Sequence, residues 1–448
     1  MFLQFTQMQA CLAGLIFTSF FAYVSDAEVI PELSAVLTEA LTEGEFGEKE
    51  VSEAQRLLAS SETEADGLEQ LGWAFIDKAR HGNQASCHAR ALACAEALES
   101  RHPERRLDSL LIRGHVLHQQ HKFEGAHTIA TELTLKRGNS FDHALLGDVL
   151  LDLGKVDRAS DAYQKMLDLR PGLSSYLRAA EMRWITGDVQ GAVDAGLLAL
   201  KAGTMRQPAP LAWAYSRLSY FLWAQGRQTE SEAAADRALG ILPEYVPAVV
   251  AKGRALLSSG DAAGAIEVLK NSLMSDQEPL TLWLAWECYK ELGDDSRVQE
   301  LQKTIMTRGI QVDPRTVSLY LSTISRNSGV ALQLAESELA KREDILTQDA
   351  LAFALLRKSN DLEASAPAEA ATLLSRARSA MDASLVHGTK DARLWLHAGL
   401  VYQATGDTHT AREFLDRAKD CQHMLYPSER RLLANARNPS RSSSLDSQ

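Results

Sequence analysis

The chain has 448 residues, with 47 Lys and Arg against 59 Asp and Glu for a formal net charge of −12, and is 45% hydrophobic and 24% charged. Such proportions are those of a folded soluble protein and exclude a collagen, a disulfide-rich mini-protein, a polytopic membrane protein and a wholly disordered chain. Between residues 28 and 66 ten Glu and Asp66 face only Lys49 and Arg56, so residues 67–448 are close to neutral; with no basic stripe to neutralise phosphates, nucleic acid is not an expected partner.

Ala10–Val24 reads ACLAGLIFTSFFAYV, a mostly apolar stretch without a charge. It is shorter than the roughly 17–25 residues of a bilayer-spanning helix. It suits the apolar core of a secretory signal, with Ser25-Asp26-Ala27 supplying small residues for cleavage. The preceding MFLQFTQMQ lacks the basic residue such a signal carries. Three readings of residues 1–27 stay open: a cleaved signal, an uncleaved anchor, and an apolar start to a cytoplasmic chain. The first two give a periplasmic or envelope-associated protein, and the anchor gives it a membrane association. Residues 31–60, within the acidic segment 28–66, read as a capping helix pair with a solvated outer face.

Cys87 and Cys94 fall seven residues apart on one expected helix, about 10 Å by helical rise and beyond disulfide reach. With Cys288 and Cys421 in distant units, no disulfide is expected. His115, His118 and His121 recur at three-residue spacing, but only two can share a helix face, and a zinc site wants three or four ligands. No metal is expected.

From residue 67 the chain repeats. LLDLGK (151–156), RWITGDV (183–189), LWAQGRQ (222–228), LLSSGDA (256–262), YKELGDD (289–295) and YQATGDT (402–408) each end an apolar helical stretch with a Gly and polar residues. His121 holds the equivalent place one unit earlier, and the spacings from His121 to Gly293 are 33, 33, 39, 34 and 33. Seven residues before each loop residue stand Gly114, Gly147, Ala180, Ser219, Gly253, Trp286 and Gly399. Five after it stand Ala126, Ala159, Ala192, Ser231, Ala265, Val298 and Ala411, so the two small positions are expected to face each other where paired helices approach closely. The Gly supplies the left-handed turn that ends the first helix, and Pro171 and Pro243 close units.

A helix-turn-helix period near 34 is that of the tetratricopeptide repeat (TPR) family, which the chain resembles over about residues 67–425. LGWAFIDKAR (71–80) and GTKDARLWLHAGLVYQATGD (388–407) resemble segments of bacterial, often exported, members of that family. The resemblance implies an all-α, right-handed superhelical solenoid of about ten stacked units. The expected departures are a longer turn in the first unit (67–103), the 39-residue unit, and residues 308–390, which lack loop glycines but read as helix pairs at 314–342 and 347–386. Residues 426–448 read as a helix end followed by a disordered tail, NPSRSSSLDSQ.

There is no P-loop, dinucleotide fingerprint, HExxH, nucleophile elbow or EF-hand loop in the sequence. No enzyme activity and no cofactor are expected. The family resemblance implies instead a non-catalytic scaffold that binds a protein or peptide in its concave groove. The alternative is a structural or assembly component anchored at a membrane or envelope. In the family the residues thirteen, ten, six and three before the loop Gly line the groove. Here that stripe gives Glu181 and Trp184, then Trp213, Ser216, Tyr220 and Trp223, then Arg254, then Trp283, Glu287 and Lys290. Aromatics in such a setting anchor peptides, and the charged residues orient them. The other reading of Trp213 and Trp223 is that they fill the extra turn of the 39-residue unit. Family members that clamp a chaperone's C-terminal carboxylate place Lys and Asn ten and six before the Gly. None of the pairs here is Lys/Asn, so that ligand is not expected.

Overall fold

The computed structural model describes residues 33–38, 47–82, 85–206, 208–275 and 278–438. The apolar stretch of 1–27 and residues 439–448 lie outside them, as does much of the acidic segment. Every regular element among the described residues is helical. None of these helices is long and apolar enough to cross a membrane. The chain divides into two compact units, Met1–Val116 and Leu117–Gln448.

In the first unit the short helices Leu33–Thr38 and Glu48–Leu57 bury Val36, Val51 and Ala54 against Leu71, Phe75 and Ile76. The following pair is Glu64–Gly82 and Ala85–Arg101, of 19 and 17 residues. Both are longer than the 13- and 14-residue helices of the regular hairpins, and the turn expected to be long falls on residues outside the described ones.

In the second unit the loop chemistry is regular. Gly187, Gly260, Gly293 and Gly406 take φ of +78°, +90°, +73° and +85°, where only glycine is unstrained. The next N–H in each reaches back to a carbonyl of the helix just ended: Asp188 to Arg183 at 2.7 Å, Asp261 to Leu256 at 2.9 Å, Asp294 to Tyr289 and Asp407 to Tyr402 at 3.0 Å. The same four Asp side chains then cap the second helix, accepting from the N–H of Gly191, Gly264, Arg297 and Thr410 at 2.8–3.2 Å. Each such cap is worth about 1 kcal/mol. Where glycine is missing, His121, Ser325 and Asn327 accept positive φ in its place.

The small residues seven before the loop serve more than the closeness anticipated. A Cβ on Gly147 would fall onto the ring of Tyr163, one on Gly253 would lie 3.2 Å from Leu269, and one on Gly399 would lie 2.6 Å from Leu415. All three partners stand nine residues after the loop Gly, so the notch receives a large side chain of the second helix. The residue five after the loop stands opposite as expected in two units: Ser219 and Ser231 meet oxygen to oxygen at 3.1 Å, and a Cβ on Gly399 would also lie 3.3 Å from the Ala411 carbonyl oxygen. The 39-residue unit puts its surplus into the 17-residue helix Pro208–Ala224. Residues 308–390 hold the pairs Pro314–Thr323 with Ser328–Leu339 and Ile345–Leu362 with Pro367–Ser384.

This unit coils until its loops meet later segments of itself. Gly154 abuts the Glu343 carbonyl, Gly187 the Gly388 carbonyl, and Gly226 the His423 ring. Thr389 donates its hydroxyl to the Ile185 carbonyl at 2.5 Å. A buried charge cluster closes the same seam one unit earlier. Arg342 lies 3.0 Å from Glu338 and 3.9 Å from Asp152, and Arg315 lies 3.1 Å from Asp344.

Candidate functional site

The first helices of successive hairpins place the stripe residues along the inside of this coil. Trp184 meets Tyr220 edge-on at 5.4 Å between ring centroids, and Tyr220 lies 5.7 Å from Trp223. Arg254 covers both, 5.4 Å from the Tyr220 ring and 5.1 Å from the Trp223 ring. Two units on, Trp283 donates its indole N–H to Glu287 at 3.0 Å, and both side chains are wholly buried. The stripe rule thus brings Trp184, Tyr220, Trp223, Arg254, Trp283 and Glu287 to one lining.

Trp213 and Lys290 sit apart from it. Trp213 is 41% exposed and reaches the lining only through Arg217, whose guanidinium lies 5.7 Å from its ring and 4.8 Å from that of Tyr220. Glu181 holds Arg217 there at 2.5 Å. Lys290 is exposed and rests over Trp286 at 4.7 Å.

The lining is not open. Trp184 and Trp223 are 4% and 5% exposed, and what covers the groove is the chain's own segment after the last repeat helix. Within the stretch read as a helix end, Gln422–Met424 forms a single turn and Pro427–Arg437 is a separate helix. Its start signal was present in the sequence, with Pro427 at the first helical position and Glu429 two residues later.

The His423 ring stands edge-on to Trp223 at 6.3 Å, and its Nε2–H donates to the Trp223 carbonyl at 2.9 Å. Ser258 accepts from the Trp223 indole N–H at 3.2 Å and donates to the His423 carbonyl at 2.6 Å. Tyr426 packs edge-on against Trp283 at 5.1 Å. Ser428 donates both its hydroxyl and, at 3.1 Å, its backbone N–H to Glu287. Glu429, fully buried, pairs with Arg393, whose guanidinium lies 4.8 Å from the Trp283 ring and 5.1 Å from the Tyr426 ring.

Burial pushes the Glu287 carboxyl up to about 7; the two bonds from Ser428 oppose this, and the Glu429 charge adds to it. Burial also raises Asp391, which caps helix Ala392–Ala404 through the N–H of Arg393 at 2.8 Å and accepts from the Tyr220 hydroxyl at 3.4 Å. Arg393 was missed in the sequence although the rule finds it: it stands thirteen residues before Gly406.

The histidines of 115–121 have structural company. His115 is edge-on to Trp73 at 5.0 Å, His118 bonds Asp152 at 2.8 Å, and His121 stacks on Phe123 at 5.4 Å. Among the described residues no group of three or more His, Cys, Asp or Glu is placed to hold a metal ion. Among the described residues, Cys87, Cys94, Cys288 and Cys421 are not joined in disulfides.

Family models described as tetratricopeptide repeats match residues 145–205 and 392–420. No curated protein matches the chain in sequence. Among solved structures, a tetratricopeptide repeat protein from Parabacteroides merdae is 12% identical with a TM-score of 0.38, covering 61% of this chain and 98% of its own. A human IFIT1 dimer with m7Gppp-AAAA is 14% identical with a TM-score of 0.45, covering 86% and 96%. MamA is 21% identical with a TM-score of 0.30, covering 36% and 94%. Likenesses of this size say nothing of function. The two matched stretches are tetratricopeptide repeats, and they fall on hairpins whose period, loop glycine and Asp cap recur through the second unit, an all-α repeat solenoid.

Proposed function

We propose that this protein is a non-catalytic scaffold that binds a protein segment in the inner groove of its second unit. The lining is Trp184, Tyr220, Trp223, Arg254, Trp283 and Glu287, with Arg393 added and Trp213 and Lys290 at the exposed rim. The observation that carries the reading is that this groove already holds a chain segment by side-chain-specific contacts: aromatic on aromatic, donor on Glu287, acid on Arg393. Buried aromatics with flanking charges are the features that anchor and orient a bound segment.

In-cell photo-crosslinking from Trp213 or Lys290 positions tests this, repeated with Arg254→Ala. The captured protein is expected to be lost in the variant while its far-UV circular dichroism is unchanged. Undiminished capture by the folded variant overturns the groove assignment.

The alternative of an anchored envelope component rests on the apolar stretch Ala10–Val24. Fractionation with N-terminal sequencing separates the two. A soluble product beginning near Glu28 supports an exported scaffold, and a membrane-bound chain that retains residues 1–27 supports the anchor.

A further inference from the structure

We propose that His423–Glu429 is an internal ligand of the groove, and that the partner displaces it with the same chemistry: an aromatic residue, a proline, a hydroxyl residue and a glutamate opening a helix. This rests on the groove reading above and adds to it the partner's class and its regulation.

The segment meets the groove as a ligand would. It engages the lining residue by residue, from Trp223 through Trp283 and Glu287 to Arg393. It is not a repeat: the regular period ends with helix Thr408–Asp420, and only a single turn separates that helix from Pro427. The helix that follows is inserted by its tip. Pro427, Ser428, Glu429 and Leu433 are buried, whereas Arg431, Ala434, Asn435 and Arg437 face outward. Its outer side is held by contacts that water can replace, such as Arg431 to Glu291 at 2.9 Å between half-exposed side chains.

The groove also dictates what may replace this segment. Without Ser428, Glu287 keeps only the Trp283 indole N–H. Without Glu429, Arg393 loses its carboxylate partner. A buried charge left alone costs far more than a paired one. An apolar peptide would therefore leave two charges stranded. A helix N-terminus brings unbonded N–H groups and a positive dipole end to Glu287. The hydroxyl supplies a second donor to that carboxylate, and the glutamate one position on satisfies Arg393. The aromatic residue before the proline occupies the face between Trp283 and the Arg393 guanidinium.

The test uses the full chain and a fluorescently labelled synthetic peptide of residues 422–438. In a chain carrying Tyr426→Ala and Ser428→Ala the internal segment is weakened. The peptide is expected to bind this chain at least tenfold more tightly than the unaltered one, and to lose at least tenfold when Arg393→Ala is added. Equal binding to the unaltered and the weakened chain, with both folded, overturns the proposal.

Hydrogen exchange in the unaltered chain gives a second test that needs no variant. Amides of 424–433 are expected to exchange at least tenfold faster than those of helix Ala392–Ala404, after correction for intrinsic rates, because the segment opens separately. Equal protection means that the segment is a fixed part of the core and overturns the proposal. If the peptide binds as expected but cellular capture is insensitive to Arg254→Ala, the internal-ligand inference stands and the scaffold reading falls. Capture that depends on Arg254 but is unaffected by weakening the segment does the reverse.

Discussion

Gly187→Ala probes the closure of the second unit, and Gly260→Ala is its control. Both residues take strongly positive φ, +78° and +90°. An alanine in that region costs about 1–2 kcal/mol, partly offset by about 0.4–1 kcal/mol from a less flexible unfolded chain. At Gly260 nothing lies within 4 Å of the new Cβ, so the expected loss is about 0.5–1.5 kcal/mol. At Gly187 the Cβ would run into the Gly388 carbonyl, which is backbone and cannot rotate away. Overpacking of this kind costs about 1–3 kcal/mol. The shift it demands also disturbs the bond from the Thr389 hydroxyl to the Ile185 carbonyl, worth about 1 kcal/mol. Gly187→Ala is therefore expected to cost about 2–4 kcal/mol, clearly more than the control. Urea titrations followed by circular dichroism and by tryptophan fluorescence give both values, and the transition of the Gly187 variant should also broaden, since coupling between distant repeats is lost. If the two variants lose the same stability within about 0.5 kcal/mol, a margin too small for a backbone clash, the loop of Gly187 does not meet Gly388 in solution.

Arg178→Ala should cost about 2–3 kcal/mol, somewhat below the figure for a fully buried pair, because it takes from Asp148 the cation that holds it through two bonds of 2.6 and 2.7 Å and leaves it to the Tyr163 hydroxyl at 2.8 Å. Burial alone would raise Asp148, but Arg178 outweighs it and holds the carboxyl at about 2, so the difference between wild type and variant should persist above pH 4 and vanish as pH falls toward 2 in acid-denaturation curves. Glu287 works in the opposite sense. Burial holds its carboxyl at about 7 in the folded protein against 4.5 in an unfolded chain, so the folded state binds the extra proton and stability around the docked segment falls as pH rises from 4.5 to 7. Glu429 and Arg430 on the docked helix and Tyr320 and Cys288 beside it complete the titratable surroundings. Hydrogen exchange of 424–433, corrected for intrinsic rates, should speed up across that window; a flat profile refutes the assignment.

Much of this fold is written locally. The Gly-Asp pairs at 187–188, 260–261, 293–294 and 406–407 carry both the left-handed stop and the cap of the next helix, and the structure uses each for both. The stripe rule gathered Trp184, Tyr220, Trp223, Arg254, Trp283 and Glu287, because hairpins of nearly constant length present equivalent positions to the same side. It left Trp213 at the exposed edge, in the first helix of the 39-residue unit, which at 17 residues is a turn longer than the 13-residue first helices on either side of it. The notch partners Tyr163, Leu269 and Leu415 were missed for a different reason. Side chains on a helix lean back toward its start, so a residue further along covers the site opposite a small one. Contacts such as Gly187 with Gly388, or Trp223 with His423, join positions about two hundred residues apart. They depend on how tightly the coil winds, a sum of small rotations at each hairpin that no single motif records. For the same reason Pro427–Arg437 could be read as a helix but not as an occupant of the groove.

Competition between the partner and the chain's own segment tests the central claim most directly. The chain carrying Tyr426→Ala and Ser428→Ala is first saturated with labelled peptide 422–438, and the partner segment identified by crosslinking is then titrated in while fluorescence anisotropy is followed. Full displacement of the label, at a concentration that rises in proportion to the peptide present, is the expected result. A partner that binds while the label stays in place would show that the groove of Trp223, Trp283 and Glu287 is not where this protein meets its partner.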